Sequence, residues 1–291
     1  MTYRFQERVI LVTGGAGGIG STLCRRFAAG GATLVVVDRD KARIDRMADG
    51  LPGTGHTAYC ADLTDRSCVE ELFDHVAQRH GRLDVLVNNV GMTSAERFDT
   101  RSVESIEEEL AVNLLSPLVT TRLAVPLLRA SDDPRVITTV SLGGIFPLGE
   151  TPIYTASKFG LRGAMLSIGL DLRDKGILAG SVMPSAIDTR MLRQEAVDGG
   201  NSLQFQDAPQ RPSDVVDTVV GLLDRPRLEA YTRPRESILV RLVMLAPNLL
   251  PRLFPPFRRR GERGMARYLE ELRQRGLTRR TDDGWELVET P

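Results

Sequence analysis

The chain has little of what marks a secreted, metal-binding or nucleic-acid-binding protein. It has three cysteines, Cys24, Cys60 and Cys68. Their separations fit neither a metal-ligand spacing nor an even disulfide framework, so no metal site and three reduced thiols in a cytoplasmic protein are expected. Neither charge is in excess, with 38 Lys and Arg against 38 Asp and Glu, which argues against a general affinity for nucleic acid. No apolar run of about eighteen residues or more is free of charge and proline, which speaks against a transmembrane helix. The N-terminus lacks a basic segment followed by an apolar stretch and a cleavage site, so secretion is not expected. There is no short-period repeat and no low-complexity linker. The 291 residues suit one generous α/β domain and would be tight for two.

What is present is a rhythm. Val9–Val12 is a short β-branched run of the kind buried on both faces in a parallel sheet. A glycine cluster and a helical stretch from Ser21 to Ala29 follow, and then Thr33–Val37 reads as a second buried strand. Leu83–Val87, Val136–Val140 and Leu178–Met183 repeat the strand pattern, with helical patterns at Ser67–Gln78, Val103–Arg129 and Tyr154–Lys175 between them. Strands alternating with helices imply right-handed crossovers and a doubly wound parallel sheet. From Arg190 onward Pro and Arg become frequent and the strand rhythm stops.

The first strand runs into Thr13-Gly14-Gly15-Ala16-Gly17-Gly18-Ile19-Gly20. Glycines here permit a tight turn and let backbone N–H groups approach a pyrophosphate, while the following helix points its positive end at the same charge. The next strand ends on Asp38, where a carboxylate can accept hydrogen bonds from both hydroxyls of an adenosine ribose and repels a 2′-phosphate. That favours NAD over NADP, although Arg39 beside it could greet the phosphate.

Tyr154 and Lys158 open a helical pattern four residues apart, so they share one face. A phenol is a poor base at neutral pH, and a neighbouring ammonium is expected to pull its pKa down and make it a useful proton acceptor. Ser141 closes the strand before it, and Asn88-Asn89-Val90-Gly91 closes the strand before that. Both lie where open parallel sheets bind ligands. Asn113 sits inside the helical stretch Val103–Arg129.

In this order and spacing the chain resembles the short-chain dehydrogenase/reductase family over roughly residues 5–190. The carriers are T-G-x-x-x-G-x-G at Thr13–Gly20, Asp38, Asp62-Leu63, N-N-x-G at Asn88–Gly91, Asn113, Ser141 and Y-x-x-x-K at Tyr154 and Lys158. The resemblance implies a single Rossmann-like domain with helices on both faces of the sheet. Tyr154 is implied to be the general acid/base and Lys158 to tune it and hold the nicotinamide ribose. Ser141 is implied to bind the substrate oxygen, and Asn113 to hold a water that relays protons from Lys158. Cofactor contacts are implied for Gly14, Gly17, Gly18, Ile19, Gly20, Asp38, Arg39, Asp62, Leu63, Asn89, Gly91, Tyr154, Lys158, Pro184, Ile187 and Thr189. Two departures stand out: Val90 replaces the usual alanine, and Ser185 replaces a glycine after Pro184.

The substrate side is expected to include Gly143, Ile145, Phe146, Leu148 and Met191, with Thr93, Ser94, Met183 and Leu192 near them. These are apolar or small, which favours a hydrophobic alcohol or ketone exchanging hydride with NAD. Two alternatives stay open: a tightly held NAD serving a non-redox epimerisation or dehydration, and a non-catalytic NAD(P)-sensing scaffold. The family's pairing surface, Val103–Arg129 with Tyr154–Lys175, implies a homodimer or homotetramer. Residues 1–236 are read as the catalytic domain and 237–291 as an extension. Its segment 237–260 opens on a strongly apolar run, Ser237–Ala246, and closes on Arg258-Arg259-Arg260; four prolines and two arginines among Ile238–Phe257 forbid a straight span. A lid or subunit interface ranks first for it and peripheral membrane contact second. Gly264–Arg275 is expected to be a charged helix and Thr281–Pro291 a loose end.

Overall fold

The computed structural model describes residues 2–282 and 284–288. Its elements in chain order are β1 (Val9–Thr13), α1 (Gly18–Ala29), β2 (Thr33–Asp38), α2 (Lys41–Asp49), β3 (Thr57–Cys60) and α3 (Arg66–His80). There follow β4 (Val85–Asn88), α4 (Val103–Leu110), α5 (Ser116–Leu128), β5 (Arg135–Thr139), α6 (Pro152–Arg173) and β6 (Leu178–Met183). The C-terminal part holds α7 (Arg190–Val197), α8 (Pro212–Asp224), β7 (Glu229–Tyr231), α9 (Pro234–Met244), α10 (Leu250–Gln274) and the hairpin β8 (Thr278–Thr281) and β9 (Gly284–Leu287).

Seven strands form one parallel sheet in the order β3-β2-β1-β4-β5-β6-β7. The chain builds outward from β1 on one side, then returns and builds outward from β4 on the other. Successive residues of a strand point to opposite faces. Ile10 and Val12 therefore join one core with Leu23 and Phe27 of α1 and Val215 and Val219 of α8. Val9 and Leu11 join the other, with Leu72 of α3, Leu128 of α5 and Met165 of α6. Burial on both faces is why the central strands read as unbroken apolar runs.

Two expectations are corrected. The strand rhythm does not stop at Arg190: α8 and the three-residue β7 add one more unit, β7 pairing in parallel with β6. The expected helix Val103–Arg129 is present as one run to Leu128, with a wide helical turn at Ala111–Leu115 joining α4 to α5 and burying the Asn113 side chain. That helical run, Val103–Leu128, is long and apolar enough to cross a membrane by length and composition, yet α5 packs on α3, β4 and β5 as a core helix. Within Thr281–Pro291, the described part is no loose end: β9 pairs with β8, and Trp285 packs against a small core built from Phe205, Tyr268, Leu269 and Leu272. Asp283 and 289–291 lie outside the described residues.

The charged helix expected at Gly264–Arg275 begins earlier, at Leu250, and lies across residues 202–205. A Cβ at Gly261 would fall 2.1 Å from the Ser202 carbonyl oxygen, and one at Gly264 would fall 1.9 Å from that of Phe205. Two glycines three apart thus let α10 lie backbone to backbone on residues 202–205. Tyr268 of α10 and Arg275 just after it also donate to Asp188, at 2.7 and 2.9 Å, tying the extension to the loop after β6.

Candidate active site

The carboxyl ends of the strands carry a trough made of three adjoining cavities. The first, of about 560 Å3, lies where the chain reverses between β1 and β4, the usual ligand position in an open α/β sheet. Gly14, Gly17, Gly18 and Ile19 line it from the turn, Asp38 and Arg39 from the end of β2, and Asp62 and Leu63 from beyond β3. Gly14 adopts a φ of +61°, and a Cβ there would approach Val90 Cα to 3.1 Å. The turn therefore needs glycine for conformation and for closeness. Gly20 does not line the cavity; it is buried inside the turn.

Asp38 is fixed from both sides. Its Oδ2 accepts from Ala16 N at 3.2 Å and its Oδ1 from Arg39 N at 2.9 Å. Arg43, which sequence reasoning missed, also lines this cavity and donates to the Ala16 carbonyl at 2.9 Å. Its signal was only a cation on the first turn of α2. Asn89 stitches the floor, donating to the Thr13 and Gly14 carbonyls at 3.3 Å each and accepting from Thr139 Oγ1 at 3.2 Å.

The second cavity, of about 110 Å3, holds Ser141, Tyr154 and Lys158, with Pro184 and Ile187 from the loop after β6. It shares Ile19, Asn89, Gly91, Thr189 and Met191 with the first. Pro152 starts α6, and its preset φ places Tyr154 in the first turn. Ser141 Oγ accepts from Gly143 N at 2.9 Å and hydrogen-bonds the Tyr154 phenol. Lys158 Nζ sits 5.6 Å from the Tyr154 ring centroid and donates to the Thr139 carbonyl at 3.5 Å. Asn113 is spent on the protein: its Nδ2 donates to Met92 O at 2.9 Å and Ser157 Oγ at 3.2 Å, and its Oδ1 accepts from Met92 N at 2.8 Å. Ser185 tolerates its position because Glu7 is the one non-glycine residue with positive φ among the described residues.

The electrostatics differ from the simple expectation. Burial pushes the Tyr154 phenol up to about 12, against the pull of its hydrogen bond with Ser141. Burial pushes the Lys158 ammonium down to about 8, opposed by the nearby Glu109 carboxylate. In the protein alone, then, Lys158 does not bring the phenol below its ordinary value, because loss of solvent outweighs an ammonium lying under the ring. Glu109 is itself fully buried and pairs with Arg101, Nη1 to Oε2 2.6 Å, at the end of α4.

Sequence reasoning also missed Glu195, a carboxyl on α7 that lines the second cavity and is 5 % exposed. Its Oε1 accepts from Gln204 Nε2 at 2.7 Å and Asn201 N at 3.3 Å, and burial raises its pKa to about 7. The native state thus keeps a proton that the unfolded chain releases near 4.5, so this contribution to stability is full below pH 4.5 and lost as pH rises to 7. Glu195→Gln is expected to remove that slope and stabilise the protein at pH 8 by on the order of 3 kcal/mol, read by urea unfolding at pH 5 and pH 8.

The third cavity, of about 230 Å3, lies under the extension and shares Ser141, Ser185 and Gln204 with the second. Gly143, Phe146 and Leu148 wall it from the loop after β5, and Leu253 and Phe254 from α10. Phe146 and Phe254 stack with centroids 5.7 Å apart. Of the other pocket residues expected, Met191 and Leu192 line the second cavity with Thr93. Ile145 and Met183 line none of the three; both side chains turn into the core beneath the sheet. Ser94 hydrogen-bonds Glu96 instead.

A family model described as short chain dehydrogenase matches residues 8–198. The 3-oxoacyl-(acyl-carrier-protein) reductase of Thermotoga maritima is 32% identical over 191 residues, 65% of this chain and 77% of that one. The 3beta-hydroxysteroid dehydrogenase of Mediterraneibacter gnavus is 30% identical over 203 residues, 67% of this chain and 71% of that one. Among solved structures, a short chain dehydrogenase/reductase from Burkholderia phymatum, in complex with NAD, superposes with a TM-score of 0.77 at 22% identity. That match covers 85% of this chain and 96% of the other and speaks to the fold.

Proposed function

The chain belongs to the short-chain dehydrogenase/reductase family, and from that premise we propose that it moves a hydride between NAD and the carbinol or carbonyl carbon of a lipophilic alcohol or ketone. The observation that carries this reading is the continuity of the trough. A glycine-lined cavity, a cavity holding Ser141, Tyr154 and Lys158, and an apolar cavity follow one another and share walls.

The first cavity fits a dinucleotide on its own chemistry. Side chains are absent at Gly14, Gly17 and Gly18, α1 starts there with its N–H groups forward, and a carboxylate stands at the far end. The turn with Ile19 would hold the diphosphate, Asp38 and Arg39 the adenosine ribose, and Asp62 and Leu63 the adenine. Asn89, Gly91, Pro184, Ile187 and Thr189 would hold the nicotinamide half. When bound, that group supplies or accepts the hydride.

The chain's own residues handle the proton. Ser141 holds the substrate oxygen and stabilises charge developing on it. Tyr154 gives its phenolic proton to that oxygen in reduction and takes it back in oxidation. Lys158 supplies the positive charge behind the phenol. Asn113 fixes the wide turn at Met92 and Ser157, next to Lys158. In this reading residues 1–236 carry cofactor and catalysis, and 237–291 cover the substrate. Gly143, Phe146, Leu148 and the α10 aromatics grip an apolar body. Exposed Leu115 in the turn before α5, with Phe159 and Leu170 on α6, support a homo-oligomer paired through these helices.

Titration with NADH and NADPH, followed by fluorescence, tests the cofactor assignment. NADH is expected to bind more tightly, and Asp38→Ala to weaken it by about 10- to 100-fold, the worth of charge-assisted hydrogen bonds. Tighter binding of NADPH by the unaltered protein would assign the ribose end to Arg39 and Arg43 and overturn the choice of NAD.

A further inference from the structure

α9 is apolar on both sides. Val240 and Val243 face inward onto the third cavity. Ile238, Leu242 and Leu245 face outward, at 57, 59 and 81 % exposure. Surfaces facing water seldom leave such an apolar patch bare. The patch continues through Leu249, in the turn where α9 and α10 meet at 91°, and onto Phe257.

The charge around this knuckle is one-sided. From Ser237 to Gly261 there is no acid, and there are five arginines. Arg241, Arg258 and Arg260 reach back to Glu229, Glu150 and Asp207. Arg252 and Arg259 are exposed and make no ion pair among the described residues. A second copy of the chain docked here about a two-fold axis would set one arginine-bearing patch against another, with only acids already paired to arginines beside it. An anionic lipid surface complements both halves of the pattern.

We propose that the α9–α10 knuckle seats the protein on an anionic bilayer surface, with the leucines in the headgroup boundary and Arg252 and Arg259 on the phosphates, so that a membrane-dissolved substrate enters the third cavity from the lipid side. The cavity walls Leu239, Val243 and Leu250 come from the same knuckle, and the cavity reaches Ser141. The substrate half of this proposal rests on the reaction proposed above; the docking half does not.

The test is flotation of the full chain with vesicles of phosphatidylcholine alone and with added phosphatidylglycerol. The protein is expected to float only with the anionic vesicles and to be released by high salt. Leu242→Glu with Leu245→Glu, and separately Arg252→Glu with Arg259→Glu, are expected to reduce bound protein at least tenfold. Both pairs lie off the cavity walls, so turnover of a short water-soluble alcohol should stay within about twofold, which also verifies folding. Absence of flotation overturns the proposal. So does concentration-dependent self-association that the leucine variant abolishes without any vesicle binding, which would give this face to a second copy. Flotation without turnover of any alcohol or ketone would keep the docking surface and overturn the reaction.

Discussion

Tyr154→Phe is expected to lower turnover about a thousandfold, within the 10²–10⁴ range of a positioned acid/base, while NADH affinity changes by no more than about twofold. The substitution removes one oxygen from a half-buried ring whose hydroxyl meets Ser141. The ring itself still packs against Gly143, whose Cβ position lies 3.2 Å from Tyr154 Cε1, so the cavity keeps its shape. The residual rate belongs to Ser141 and to the holding of both reactants in one trough. The pH dependence has a definite sign. Oxidation needs the phenolate, and burial holds the phenol at about 12, so the oxidation rate should climb through the alkaline range in the native enzyme and lie flat in the variant. Steady-state rates from pH 6 to 10, with NADH binding measured beside them, decide this. A variant that keeps more than a tenth of native turnover would remove Tyr154 from the reaction.

Lys158→Met is expected to do two opposite things. Turnover should fall about as far as in Tyr154→Phe, and the double variant should fall little further, because residues acting as one unit are not additive. Stability of the cofactor-free protein should rise. Lys158 is 4 % exposed, and burial lowers its pKa to about 8 from 10.5. Between pH 8 and 10 the unfolded chain binds a proton that the native protein has shed, so native stability rises with pH across that window; below pH 8 the full cost of burying the charge remains. Above pH 10 Tyr154 reverses the trend, since the native phenol keeps its proton while the unfolded one loses it. Methionine fills a similar volume without the charge, so the variant should gain up to roughly 3 kcal/mol at pH 7 and lose the rise from pH 8 to 10. Urea unfolding at pH 7, 8.5 and 10 measures both. A variant less stable than native at every pH would mean that the hydrogen bond to Thr139 outweighs the burial cost.

The sequence made the sheet and the turn readable because their physics is local. The central strands are buried on both faces and therefore apolar throughout, and the glycines at the end of β1 are needed for backbone reasons alone. Tyr154 and Lys158 stood out because four residues make one turn of helix. What was missed depends on partners distant in sequence. β7 is three residues, Glu229-Ala230-Tyr231, and only the edge of β6 makes it a strand. The β8–β9 hairpin is polar and exists because Trp285 and Thr278 meet α10. Glu195 and Glu109 carry no local signal, since burial of a carboxylate is a property of the packed molecule. Ile145 was placed in the pocket because it lies between Ser141 and Leu148, but its side chain leaves that loop on the core side. The wide turn at Asn113 has no signature in an apolar helical run.

Trp285 is the sole tryptophan of the chain, and it sits in the hairpin of the extension, not in the seven-stranded sheet. Light emitted by this indole therefore reports on one corner of the molecule, where β9 leans on α10. Circular dichroism reports on the helices and strands of the whole. The two signals observe separate regions without any label or added residue. Their coincidence or separation along a denaturation curve distinguishes one cooperative unit from a body with a detachable cover.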